Sequence, residues 1–174
     1  IDPETGAGTV IDDLVDGATA YESIAGLAFR GSTLYGLVAD GSRSGGNDNE
    51  LVTIDTVTAE VTPIGNHDFG GGSWEGNGIA WAPNGVLYVA TYDTDNILGT
   101  ITPATGVIAT IDVFTQNSST SDTVRAINFI GNVLYGIEMD RAGGASLVTI
   151  DTVTAETTEV GALPANVQAM TYAP

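Results

Sequence analysis

The stretch that decides the fold is Leu51-Val52-Thr53-Ile54-Asp55-Thr56-Val57-Thr58-Ala59-Glu60, which recurs letter for letter over residues 147–156. Internal repetition of this kind indicates a protein built from copies of one supersecondary unit. A longer repeat surrounds these two copies. Three full units cover residues 24–65, 76–111 and 124–161, and their matching positions lie about 50 residues apart, the spacing of blade-type repeats.

Each unit holds four short runs rich in Val, Ile, Thr and Tyr, which favour strands, with Gly, Asn and Pro turns between them. In the first unit the runs are IAGLAF, TLYGLVAD, LVTIDTVTAE and VTPIG. No segment has the 3.6-residue periodicity of an amphipathic helix. The sequence therefore predicts an all-β, propeller-type array of four-stranded antiparallel blades with almost no helix.

Aromatic residues recur at two positions of the unit, beside the leucine of the second run and at the end of the first run. They are Tyr35, Tyr88 and Tyr135 at the former position, and Phe29, Trp81, Phe129 and Tyr172 at the latter. Because they recur in every unit, we expect them to pack between neighbouring sheets rather than to form a binding stripe.

The two ends of the chain match different parts of the unit. Residues 1–6 resemble the turn after a third strand, residues 8–14 are predicted to be a fourth strand, and residues 167–172 a first strand. The chain from 1 to 174 is thus interpreted as one domain of three full repeats plus a split partial blade. Such an array is expected to leave bare sheet edges. Alternatives are a piece of a longer propeller, or a four-bladed ring with one thin blade.

Exposed end strands can complete a sheet on a neighbouring copy by strand addition. Repeated head to tail, that contact gives a ring or a filament. The residues expected to mediate this assembly lie in the two end strands: Val10, Ile11, Val167, Ala169 and Tyr172.

Charge and composition restrict the partners. The 174 residues carry a net charge of −18, with four cationic side chains in all, so we expect no binding to nucleic acid or to anionic membrane surfaces. No apolar run approaches the roughly 18 residues that a spanning helix needs, which predicts no membrane insertion. Cysteine is absent. The acidic composition, rich in Thr, Gly and Asn, favours an extracellular or cell-surface location.

The pattern LYG…LVTID…T, at Leu34-Tyr35-Gly36 and Leu51–Asp55 in the first unit, resembles the blade repeats of secreted bacterial β-propeller-like proteins, mostly of unknown function. The resemblance extends over nearly the whole chain and implies the fold but no activity. The Ile54–Thr58 turn also resembles quinoprotein blades. The docking tryptophan of those blades is missing here, so no quinone cofactor is predicted, and no other cofactor is certain apart from a possible structural calcium.

Calcium is the one metal that the sequence favours, because two loops are rich in oxygen ligands. The candidate ligands are Asp40, Asp48, Glu50, Asp93 and Asp95. The first loop partly resembles an EF-hand loop, but Leu51 stands where the bidentate glutamate belongs. Asp40, Asp93 and Asp140 also share one repeat position, and the alternative is that they cap the turn after the second strand.

No catalytic constellation is recognisable. His67 is the only histidine, no lysine is present, and no G-x-S-x-G motif occurs, so the protein is predicted not to be an enzyme. Asn117-Ser118-Ser119 is the only N-glycosylation sequon, with an unmodified polar loop as the alternative.

The sequence therefore predicts a non-enzymatic extracellular structural protein that assembles with itself, as a filament or surface layer, through exposed sheet edges and terminal strands. The alternative is a ligand- or glycan-binding propeller domain of a larger secreted or cell-surface protein. Its binding face would be lined by loops 40–50, 66–76 and 92–97, with Trp74 as a platform for a sugar.

Overall fold

A computed structural model describes residues 2, 4–17, 19–21, 23–38, 50–66, 75–92, 96–116, 119–120, 123–140, 143–164, 167 and 169–171. Within these ranges the chain forms strands and turns and no helix. Accordingly, no helix in them is long and apolar enough to cross a membrane.

The chain begins with a two-stranded hairpin and continues into three larger sheets. The hairpin pairs β1 (Val15–Asp16) with β2 (Thr19–Ala20). Blade 1 contains β3 (Ile24–Arg30), β4 (Thr33–Val38), β5 (Glu50–Ile54) and β6 (Val61–Asn66). Blade 2 contains β7 (Glu75–Trp81), β8 (Leu87–Tyr92), β9 (Ile97–Ile101) and β10 (Ile108–Val113).

A second short hairpin, β11 (Thr115–Gln116) with β12 (Ser119–Thr120), precedes the last sheet. Blade 3 contains β13 (Thr123–Ile130), β14 (Val133–Met139), β15 (Ala145–Ile150) and β16 (Glu156–Leu163). In every blade, sequential strands are antiparallel neighbours. The predicted all-β fold class of four-stranded antiparallel blades is confirmed.

The turn between the third and fourth strands is the most regular part of the repeat. The Asp55 carboxylate accepts hydrogen bonds from the backbone N–H groups of Val57 and Thr58, at 2.7 and 2.9 Å. The Ala59 N–H donates to the Asp55 carbonyl, and Ala59 has a left-handed φ of 60°. The same bonds surround Asp151, where the left-handed residue is Ala155.

The expectation for residues 1–6 agrees with the observed geometry. The Asp2 carboxylate accepts hydrogen bonds from the N–H groups of Glu4 and Thr5, and Gly6 takes the left-handed position with φ 70°. The N-terminus therefore carries another copy of the turn that follows a third strand.

The expected end strand over residues 8–14 is wrong. Residues 8–14 pair with no described strand, and a strand exists only where its backbone pairs with a neighbour. Strand pairing begins later, at β1. At the other end, Val167 and residues 169–171 are likewise outside any strand, and Tyr172 lies outside the described residues.

The two short hairpins fold onto the outermost strand of the blade that follows them, and we call them straps. In the strap before blade 3, Thr115 and Gln116 pair in parallel with Glu156 and Thr157 of β16. In the strap before blade 1, Val15 forms a parallel bridge with Glu60, the repeat equivalent of Glu156. The straps thus pair with the beginning of each outermost strand, where its edge would otherwise be bare.

The core lies between the blades. One cluster joins Leu37 and Leu51 of blade 1 to Ile79, Leu87 and Val89 of blade 2. A second cluster joins Ala90 and Leu98 of blade 2 to blade 3, and includes Phe114, which is fully buried just before the strap. A third covers the outer face of blade 1 with Leu14 and Tyr21. Neighbouring sheets are therefore held by apolar burial.

Candidate interaction site

The innermost strands of the blades come together in the order β3, β7, β13. Small residues at one repeat position permit the close approach. A Cβ on Gly26 would lie 3.0 Å from the Gly78 Cα, and one on Gly78 would lie 3.2 Å from the Ala126 Cα. Because these contacts are between backbones, a larger side chain there would push the sheets apart.

A cavity of about 670 Å³ opens beside these three strands. Its lining is predominantly apolar and also includes residues near the C-terminus, which therefore lie close to blade 1. The lining residues come from β3, the start of β4, β7, β13 and the C-terminal segment: Ile24, Ala25, Gly26, Leu27, Ala28, Phe29, Leu34, Asn77, Gly78, Ile79, Ala80, Trp81, Ala126, Ile127, Asn128, Ala169, Met170 and Thr171.

One apolar repeat position is buried in two blades and exposed in the third. Ile79 of β7 and Ile127 of β13 are 3% and 5% exposed, whereas their equivalent Leu27 of β3 is 56% exposed. The difference follows from position, because blades 2 and 3 each pack this face against the preceding blade. The corresponding face of blade 1 is left open over Leu27.

The aromatic position shows the same contrast. Trp81 meets Tyr35 of the preceding blade at 5.2 Å between ring centroids, and Phe129 meets Tyr88 at 5.5 Å. For these pairs, the predicted packing between sheets is confirmed. Phe29 is 60% exposed, so the prediction is wrong there, because no blade within the described residues packs against this face of blade 1.

Together, Leu27, Phe29 and the C-terminal residues 169–171 define a surface that we call the open wedge. It is apolar in a protein of net charge −18. Arg30, which follows Phe29 in β3, lies over the Trp81 ring with 4.4 Å from Cζ to the ring centroid. The guanidinium is thus turned onto a neighbouring aromatic ring.

The residues predicted to mediate assembly are divided between two places. Ala169 lines the open wedge, and Val167 is half-buried. Val10 and Ile11 are 86% and 60% exposed and do not line the cavity. Leu27 and Phe29 were missed by sequence reasoning. The available signal was their place in the first of the three full repeats.

Of the predicted calcium ligands, the structure describes Glu50 alone. Its side chain is buried, and Glu50 Oε2 accepts a hydrogen bond from the Tyr21 hydroxyl at 3.3 Å. The other candidates lie outside the described residues: Asp40, Asp48, Asp93 and Asp95, with the sequon residue Asn117, His67 and Trp74. Among the described side chains no group of three or more His, Asp or Glu is arranged for a metal, so calcium stays a prediction.

Asp140 takes the capping role given as the alternative for its repeat position. Its carboxylate accepts a hydrogen bond from the Gly144 N–H at 2.8 Å, and its carbonyl accepts one from the Gly143 N–H at 3.1 Å. This turn is therefore closed by the aspartate itself.

The aspartates of the repeated turn, Asp2, Asp55 and Asp151, have lowered pKa values. Backbone N–H donors, Thr58 before Val57, hold the pKa of Asp55 below its usual 3.8. Donation from Val153 and then Thr154 lowers the pKa of Asp151 in the same way. Both carboxylates face solvent, so they stabilise turns and do not have the raised pKa of a general acid.

Comparison with known proteins supports the repeat and the fold. A family model described as a repeat of unknown function, DUF6923, matches residues 1–172. No curated protein matches the sequence.

Solved structures that resemble the fold include the following two. The extracellular domain of a hybrid two-component system from B. thetaiotaomicron aligns over 81% of this chain with 17% identity and a TM-score of 0.50. The aligned part is 17% of the length of that protein's chain. The computationally designed Ika4 protein aligns over 97% of this chain and 89% of its own, with 17% identity and a TM-score of 0.51. At these identities the likeness concerns the fold alone.

Proposed function

The chain belongs to the family of repeats of unknown function DUF6923, which names no activity. We propose that it is a non-catalytic, extracellular structural domain that associates with further copies of itself. The observation that carries this proposal is the exposure of Leu27 and Phe29, at a repeat position that the other two blades bury against a neighbour. Because a neighbouring sheet covers this position in blades 2 and 3, a sheet of another copy can cover it in blade 1 by the same kind of contact.

The extracellular location is supported by composition and by analogy. The chain is strongly acidic, has no lysine and is rich in Thr, Gly and Asn. One protein of similar fold is an extracellular domain. Secretion would be tested by finding the protein in the medium or on intact cells with a surface-specific antibody; detection only after lysis would contradict it.

Self-association has to overcome charge repulsion. A net charge of −18 on each copy opposes contact at low ionic strength. Repulsion between exposed charges is screened beyond about 8 Å at 0.15 M salt, whereas apolar contact is not weakened. We therefore expect assembly to increase with salt.

The test is light scattering coupled to size exclusion, with negative-stain electron microscopy, across protein concentration and salt. The wild-type protein should form oligomers or filaments, and Leu27→Asp should abolish them. Val57→Asp is the matched control. Val57 is 80% exposed at a turn, so this substitution adds the same charge away from the open wedge.

Two outcomes would contradict the proposal. A wild-type protein that stays monomeric at high concentration and 0.5 M salt would refute self-association. Assembly that survives Leu27→Asp would refute the open wedge as the contact. In that case Val10→Asp and Ile11→Asp would test the N-terminal segment, which the sequence predicts to contribute.

A further inference from the structure

We propose that the two straps are latches: each is held shut by a hydrogen bond to a buried glutamate and opens while its blade stays folded. In the strap before blade 3, the Gln116 side-chain amide donates to Glu138 Oε2 at 3.1 Å. In the strap before blade 1, Tyr21, which directly follows β2, donates its hydroxyl to Glu50 Oε2 at 3.3 Å. The inference goes beyond the proposed function and does not involve the open wedge.

The two glutamates occupy one position of the blade, although they come from different strands. Glu138 of β14 lies opposite Ser146 of β15, and cross-strand partners share a face of the sheet. Ser146 and Glu50 are repeat equivalents, because each directly precedes a copy of the Leu-Val-Thr-Ile-Asp stretch. The carboxylate thus comes from the second strand in blade 3 and from the third strand in blade 1. A carboxylate that is kept at one place while its strand changes points to a role of that place in holding the strap.

Blade 2 provides the comparison. Its equivalent of Glu138 is Thr91, which is 1% exposed and whose hydroxyl has no hydrogen-bond partner within the described ranges. Within the same ranges, the outermost strand β10 pairs with β9 alone. The buried carboxylate at this position therefore accompanies a strap in blades 1 and 3, the two blades for which a strap is described.

Burial makes the hydrogen bonds to these glutamates important for the closed strap. Glu50 and Glu138 are 5% and 7% exposed. A carboxylate removed from water is costly unless hydrogen-bond donors replace its hydration, and a bond to a charged group contributes more than one between neutral groups. Each strap supplies such a donor. The carboxylate that the blade holds in its interior therefore favours the closed position of the strap.

The backbone contacts of the strap before blade 3 are weaker. β11 pairs with β16 over two residues. The Thr115 N–H donates to the Ala155 carbonyl at 3.4 Å, and the Thr157 hydroxyl donates to the Thr115 carbonyl at 3.3 Å. Both distances exceed the roughly 2.7–3.0 Å of most protein hydrogen bonds. The Gln116 bond to Glu138 is therefore the contact on which closure depends most.

A fixed point lies directly before this strap. Phe114 is fully buried in the cluster that joins blades 2 and 3, and its N–H donates to the Asn96 carbonyl at 2.9 Å. These contacts do not involve the strap, so they survive its opening. Segments with few buried contacts open locally at a smaller free-energy cost than the whole domain. The strap can therefore leave β16 while the blades stay packed.

Native-state hydrogen exchange of the ¹⁵N-labelled protein, followed by NMR, tests the inference. The Thr115 amide reports on the strap, and the Phe114 amide reports on its fixed point. Because the strap opens without the rest of the domain, Thr115 should exchange at least about tenfold faster than Phe114. Gln116→Met keeps the length of the side chain and removes the donor. It should speed Thr115 exchange at least about tenfold further and leave Phe114 unchanged.

Tyr21→Phe is the parallel test in the strap before blade 1, because it removes the hydroxyl alone. The Tyr21 N–H donates to the Leu14 carbonyl at 2.9 Å, so the amide at position 21 reports on this strap. Tyr21→Phe should speed exchange there about fivefold or more and leave Thr115 unchanged, and Gln116→Met should leave position 21 unchanged. Thr91→Val is the matched control at the same position of blade 2, and it should leave both straps unchanged.

Two results would overturn the inference. Thr115 and Phe114 amides that exchange at one rate, in the wild type and in the variants, would show that the strap opens only with the whole domain. Exchange that changes less than about twofold in both Gln116→Met and Tyr21→Phe would show that the buried glutamates do not hold the straps. Circular dichroism checks that each variant is folded, and if Gln116→Met does not fold, Tyr21→Phe decides the question through its own amide.

Discussion

Gly65→Ala should destabilise the protein through the contact between blades 1 and 2. Gly65 lies near the end of β6, and a Cβ there would overlap the carbonyl oxygen of Thr105 in the β9–β10 turn. The obstacle is backbone, so rotation of a side chain cannot relieve it. Overpacking typically costs 1–3 kcal/mol, and we expect about 3 kcal/mol because two sheets must separate.

The repeat supplies a matched control. Gly161 occupies the equivalent position of blade 3, and a Cβ there meets nothing within 4 Å. Neither glycine has a left-handed φ. The change in unfolded-chain entropy is the same for both, so Gly161→Ala should leave stability unchanged or raise it by up to about 1 kcal/mol.

The assay is thermal unfolding by calorimetry, with urea unfolding to obtain free energies. In a domain of this length, 1 kcal/mol shifts the midpoint temperature by about 2–4 °C, so Gly65→Ala should melt about 6–12 °C below the wild type. Midpoints for Gly65→Ala and Gly161→Ala within about 2 °C of each other would refute the reasoning, because the predicted difference lies well outside that range.

Three further measurements test other parts of the fold. Lowered pKa values of Asp55 and Asp151 mean that their stabilising effect is present above about pH 3.8 and is lost as pH falls through the folded-state pKa. The wild type should therefore lose midpoint temperature below pH 4 more steeply than the double variant with asparagine at both positions; parallel curves would contradict this. Phe114→Ala should cost about 3–5 kcal/mol in urea unfolding, since the ring is fully buried, and a loss below about 1 kcal/mol would show that the site collapses without cost. Arg30→Gln should remove a cation–π contact of about 0.5–1 kcal/mol and alter the fluorescence of Trp81, whereas an unchanged spectrum and stability would show no contact in solution.

Much of the fold could be predicted because the sequence pattern of each four-stranded unit is long and recurs three times. The two copies of the ten-residue stretch form a third strand and the turn after it, and their aspartates make the same hydrogen bonds. Near-continuous apolar runs along β4, β8 and β14 leave a strong signal, because these strands are buried on both faces.

The straps could not be predicted in the same way. β1 and β11 are two residues long, and a ladder of that length leaves no periodicity in the sequence. The strand predicted over residues 8–14 is absent for a different reason. Val10 and Ile11 have the composition of a strand, but strand formation depends on a partner that a local pattern does not reveal.

The open wedge was missed because exposure depends on neighbours in space. Leu27 and Ile79 are chemically similar and occupy the same repeat position, yet one is exposed and the other buried. The distinction lies in which blade precedes each of them. Counting units before and after a position, rather than examining the position itself, would have found it.

The straps have a consequence for synthesis on the ribosome. Each strap precedes its blade in the chain, so β11 is already outside the exit tunnel when β16 emerges and needs a partner. The first two residues of β16, Glu156 and Thr157, can therefore be paired on both sides as soon as the strand is made. Nascent chains on one polysome lie close together, and unpaired strand edges are where they would coalesce. The order of strap before blade therefore shortens the interval in which a half-made sheet could join the wrong molecule.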